Sequence, residues 1–143
     1  GRSGITARKR EGDGATPAGV LRLVACHFRA DRIAGPATRL PLVPIGRDDG
    51  WCDDPGDRAY NRPVALPCAA SHERMARDDG LYDIVVVLDW NVTRRSQRRG
   101  GAIFFHLTRP DPAPTAGCVA VALPAMRRLL ACLGPGASLA VRG

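Results

Sequence analysis

The chain has 143 residues, enough for one domain, and 45% hydrophobic but only 5% aromatic content makes its core one of Val, Leu, Ile and Ala. No apolar run approaches the roughly 20 residues a membrane helix needs, and five cysteines without a C-x-x-C pair exclude a zinc ribbon and a disulfide-dense mini-protein. The charge of +7 is nearly all arginine, Lys9 being the sole lysine, and favours polyanions (nucleic acid, anionic membrane or an acidic wall polymer) without choosing among them.

Sixteen glycines and twelve prolines argue for short strands and tight turns rather than a helix bundle. Residues 1–19 are polar, and the turn formers of 12–19 predict an ordered loop. Residues 20–28 predict a strand with Leu21, Leu23 and Ala25 on one face. Residues 44–63 read as a long irregular segment carrying Trp51, Cys52, Asp53, Asp54, Tyr60, Asn61 and Arg62. Loops of that length are functional or disordered, and the aromatics speak against disorder. A Cys52–Cys68 bridge fits the cysteine count. A zinc set of Cys52, Cys68 and His72 lacks an evident fourth ligand.

Residues 81–88 predict a strand buried on both faces. A basic turn follows at 93–100, then a strand over 102–107 that carries His106 near its end. Residues 109–117 hold three prolines and predict a loop, and 118–123 a further short strand. Pro124 opens a helix whose apolar face is Met126, Leu129, Leu130 and Leu133, with Cys132 buried beside it and Gly134 as its cap. Residues 137–141 close the chain as a strand. One mainly β domain over 1–143 is expected, a sandwich or partly closed barrel with one or two short helices.

The chemistry converges on the last third. A thiol needs a neighbouring base to react as thiolate at neutral pH, and His is the usual supplier. His106 on one strand and Cys118 at the mouth of the next offer that pair, and Gly117 frees the backbone just before the thiol. Amides at Gly117 and Cys118 are then placed to meet a developing oxyanion. A cysteine among small apolar residues is more often a small core residue than a nucleophile.

Residues 101–121, from Gly101 through His106 to Thr115-Ala116-Gly117-Cys118 and Val121, resemble the active-site segment of the YkuD-type L,D-transpeptidases. Thr16-Pro17-Ala18-Gly19 resembles that family's early turn, and residues 51–54, 60–64 and 81–88 resemble a bacterial branch of it. The resemblance implies an L,D-transpeptidase-like β fold, Cys118 as nucleophile and His106 as base. It further implies peptidoglycan stem peptides as substrate, no metal or organic cofactor, and an extracytoplasmic place in the periplasm or wall. Two positions depart from the family pattern: Ala116 stands for its usual His and Ala120 for its usual Arg. Trp51, Tyr60, Arg62, Thr115 and Arg109 are expected to line the stem-peptide groove, with Arg62 or Arg109 replacing the missing charge. The alternatives are an inactive peptidoglycan-binding domain and a basic nucleic-acid-binding module, the latter without a recognition helix or stacking platform.

Overall fold

A computed structural model describes residues 1–109 and 113–143; of the proline-rich loop, Pro110 and Pro112 lie outside the described residues. In chain order the elements are β1 (Ile5–Thr6), β2 (Thr16–Pro17), β3 (Gly19–Phe28), β4 (Leu42–Pro44), β5 (Asp49–Cys52) and β6 (Pro63–Ala65). They continue with β7 (His72–Arg74), β8 (Ile84–Leu88), β9 (Phe104–Leu107), β10 (Val119–Val121), α1 (Leu123–Cys132) and β11 (Ser138–Val141).

The main sheet runs β10-β9-β8-β3-β11, with β4 also paired to β3. β5 centres a smaller sheet, flanked antiparallel by β6 and β7. No barrel closes among the described residues, so the sandwich alternative holds. Side-chain alternation divides the interior in two. Ile84, Val86 and Leu88 of β8 join Phe105, Leu107 and the helix residues Met126 and Leu130 in one core. Val85 and Val87 face the other way, into a second core with Phe104, Trp51, Met75 and Tyr82. All five β8 side chains are buried, as the unbroken apolar run predicts, each worth about 1.5–3 kcal/mol. β9, which carries His106, pairs antiparallel with this buried strand.

Several expectations need correction. The β3 register shifts between Leu23 and Ala25, so Cys26, not Ala25, follows Leu21 and Leu23 into the core. Residues 44–63 are not wholly irregular, since β5 and the first residue of β6 lie there. Leu129 is 45% exposed and Cys132 is exposed, because only Met126 and Leu130 of α1 face the sheet fully. Leu133 caps α1 in an extended conformation, so Gly134 is not a left-handed cap. It makes room instead for Arg39, whose Cβ lies 3.0 Å from where a Gly134 side chain would begin. All five cysteines are free thiols, and no Cys52–Cys68 bridge forms.

Candidate active site

β10 lies parallel to β9 in a register that sets Ala120 opposite His106. Cys118, two residues before Ala120, therefore shares the face of Phe104 and His106. Cys118 and His106 both line one cavity of about 290 Å³. Two features far apart in sequence build the turn before Cys118. Gly117 has φ +142°, and a Cβ there would sit 2.9 Å from the Ala15 carbonyl oxygen, so the 12–19 loop leaves space only for glycine. Within the turn, Thr115 Oγ1 donates to the Cys118 carbonyl at 2.6 Å and accepts the Gly117 N–H at 3.3 Å.

The thiol is held from the β9 side. Cys118 Sγ donates to the Ala102 carbonyl at 3.3 Å and accepts the Phe104 N–H at 3.4 Å. Burial pushes the thiol up to about 11; the Phe104 amide opposes that rise and the Glu73 carboxylate adds to it. His106 is buried, and burial holds it below the ordinary histidine value. Its Nδ1 lies 2.7 Å from the Leu107 carbonyl, which can only accept, so Nδ1 carries the hydrogen and Nε2 the lone pair. Tyr82 packs edge-on against the imidazole, centroids 5.4 Å apart. The resting pair is thus a neutral thiol and a neutral imidazole in one tautomer.

Charged groups from β7 and the turn after it line the same cavity. Arg77 makes a two-point bond to Asp79 (3.0 and 2.5 Å), reaches Glu73 at 3.4 Å and lies 5.0 Å from the Tyr82 ring centroid. Arg109 joins through Asp79 at 3.0 Å. Arg77, first among its partners, holds the Asp79 carboxyl well below the usual carboxylate range. Sequence reading missed Glu73, Arg77, Asp79 and Tyr82. The Glu73–Arg77 spacing was the available signal, and nothing tied it to Cys118.

Of the expected groove residues, Thr115 and Arg109 line the cavity. Trp51, Tyr60 and Arg62 do not. Trp51 packs at 5.3 Å edge-on to Phe104 in the second core, and Tyr60 is 2% exposed with its hydroxyl bonded to Glu11. Arg62 is exposed, and its carbonyl accepts the Cys52 N–H at 2.9 Å. The smaller sheet uses Trp51 for packing, a demand that the abundance of aliphatic residues conceals, and Tyr60 is buried in the segment between β5 and β6. Cys68 Sγ does meet His72 Nδ1 at 3.4 Å, but no three His, Cys, Asp or Glu side chains among the described residues are placed to hold a metal.

The second core hides one further residue of consequence. Asn61 Oδ1 accepts from Trp51 Nε1 at 2.9 Å and from the Ala102 N–H at 2.8 Å, while Nδ2 donates to the Trp90 carbonyl at 3.1 Å. Ala102, whose carbonyl takes the Cys118 thiol, stands at φ +50°. Asn61 so fixes a strained residue that touches the sulfur.

His106 on β9 and Cys118, the residue before the parallel neighbour β10, open onto one cavity, and a thiol beside an imidazole is a pairing that acyl transfer can use. The chain belongs to the YkuD family of L,D-transpeptidase catalytic domains, whose family model matches residues 1–141. No curated protein and no solved structure matches it significantly.

Proposed function

We propose that the protein is an L,D-transpeptidase that acts on peptidoglycan stem peptides through a thioester on Cys118. The carrying observation is that His106, its Nδ1 tied to the Leu107 carbonyl, faces the same cavity as the Cys118 sulfur with Nε2 left as base. Neither group is charged at rest, so the thiolate and imidazolium form together as substrate displaces water and the thiol proton passes to Nε2. The sulfur attacks the carbonyl of a stem-peptide bond. The oxyanion is received by the Cys118 N–H, with the Gly117 N–H, already engaged by Thr115, in a lesser part. Imidazolium protonates the leaving amine, and the thioester remains. An amine of a second stem then attacks it, giving up its proton to Nε2, and the thiol is restored. Water in place of that amine makes the same site a hydrolase.

Arg77 and Arg109 are the cavity's cations and take the place proposed for the charge absent at Ala120. The mechanism needs no metal or organic cofactor. Its substrate places the protein outside the cytoplasm, in a bacterial periplasm or wall. No helix among the described residues is long and apolar enough to cross a membrane. Incubation with purified peptidoglycan, digestion and mass spectrometry of the muropeptides tests the reading. New cross-linked species are expected from the wild type and none from Cys118→Ala. Unchanged muropeptides with both proteins would overturn it in favour of a binding domain.

A further inference from the structure

Away from the cavity, three segments meet in a surface rich in unpaired arginine. The Glu11 N–H donates to the Arg98 carbonyl at 3.2 Å, and Arg95 Nη1 donates to the Arg58 carbonyl at 2.9 Å. Residues 8–13, 53–62 and 90–101 are thereby gathered, and together they hold nine basic and five acidic residues. Four of the five acids are engaged by neighbouring groups. Glu11 bonds the Tyr60 hydroxyl, Asp13 pairs with Lys9 at 2.5 Å, and Asp54 and Asp57 accept the amides of Gly56 and Ala59. Of the nine basic residues only Lys9 has a carboxylate within 4 Å among the described residues, against five of the twelve elsewhere, namely Arg22, Arg29, Arg32, Arg77 and Arg109.

The basic loop is also held in shape. Asn91 Nδ2 donates to the carbonyls of Ser96 and Gly100, both at 2.9 Å, and Asn91 Oδ1 accepts the Ser96 N–H at 2.8 Å. Asn91 and Arg95 stand at φ +54° and +47°, conformations that cost of order 1 kcal/mol and persist only where surroundings impose them. Arg99 lies 4.7 Å over the Trp90 ring, whose Nε1 donates to the Arg99 carbonyl at 2.9 Å. Arg58, Arg94 and Arg98 remain exposed on this frame. Such preorganisation lowers the ordering cost of binding.

We infer that this arginine face is a docking surface for a linear, phosphate-bearing polyanion, held through its backbone charges and independent of the catalytic cavity. A bilayer fits less well, since the large exposed apolar side chains, among them Ile5, Val20, Leu42 and Leu129, belong to β1, β3, β4 and α1 rather than to the three segments of this face. Base recognition fits less well because Arg99 covers Trp90, the aromatic of the loop.

The test measures binding of long-chain inorganic polyphosphate to the whole chain across a salt series. Wild type, R58Q/R94Q/R98Q and the equal-charge control R47Q/R127Q/R128Q are compared, with thermal melts to confirm folding. The patch variant should bind about 10–100-fold more weakly at low salt, and its log K against log salt slope should be shallower by about 2. The control should stay within a few-fold of wild type. Equal losses in both variants would reduce the effect to net charge and overturn the assignment, as would no measurable binding by the wild type. Tighter binding to phosphatidylglycerol vesicles than to polyphosphate would overturn it in favour of a membrane. Each readout is independent of peptidoglycan turnover.

Discussion

Removing the Asn61 side chain should loosen the nucleophile from the side opposite the substrate. Asn61 is 1% exposed and stands at φ +57°, a conformation asparagine tolerates and glycine adopts freely. Asn61→Gly therefore leaves the backbone at ease and deletes only the amide. The Trp51 Nε1–H and the Ala102 N–H then lose their acceptor. At about 1–3 kcal/mol for each unmet buried donor, the loss is about 2–6 kcal/mol. Asn61→Ala should cost a further ~1–2 kcal/mol for a side chain held in the left-handed region. Asn61→Asp keeps an acceptor for both donors but sets a carboxylate against the Trp90 carbonyl, and should fall between wild type and the glycine variant. Urea denaturation gives the stabilities. Rates of Cys118 alkylation by iodoacetamide, resolved by peptide mapping, report whether the Ala102 carbonyl still holds the thiol. An Asn61→Gly protein within about 1 kcal/mol of wild type, with an unchanged Cys118 rate, would refute the reasoning.

Three other outcomes are expected. His106→Ala should slow acylation by ~10²–10⁴, measured as single-turnover thioester formation, and a loss under about tenfold would point to another base. Gly117→Ala should cost about 1–3 kcal/mol in a thermal or urea melt, because φ +142° is strained for alanine and its Cβ meets the Ala15 oxygen at 2.9 Å; an unchanged melt would contradict the close approach. The Cys118 thiol, ordinarily near 9.0, is raised to about 11 in the folded chain. Its contribution to stability is therefore complete below pH 9 and is lost as pH rises through about 11. Alkylation of Cys118 in the free protein should follow the same midpoint, and a midpoint at or below 9 would show that burial does not govern the thiol.

The strands that carry the site were legible because their patterns are strong. A short apolar run rich in β-branched residues fits a strand covered on both faces, and β8 is one. That Cys118 and His106 meet at one cavity was legible from the Gly117 turn and the strand-borne imidazole, sharpened by the family resemblance. The Trp51–Arg62 segment misled. Two aromatics and an arginine in a stretch without alternation look like a binding loop. The strands of the smaller sheet are too short to show a period; β5 spends Trp51 on packing, and Tyr60 is buried in the segment that follows. Arg77 was hidden for a different reason. Its importance comes from Asp79, Glu73 and Tyr82 meeting around it, a contact set that no single spacing encodes. Asn61 was hidden likewise, since its three partners lie up to 41 positions away.

The central claim is that Cys118 carries the acyl group. Intact-mass spectrometry of the protein quenched in acid during turnover of a stem tetrapeptide, followed by peptide mapping, tests it most directly. An adduct of the acyl fragment's mass is expected on the peptide containing Cys118, labile to hydroxylamine, absent from Cys118→Ala and accumulating far more slowly in His106→Ala. An adduct on Cys68 or Cys132 with Cys118 unmodified, or turnover by Cys118→Ala, would contradict it.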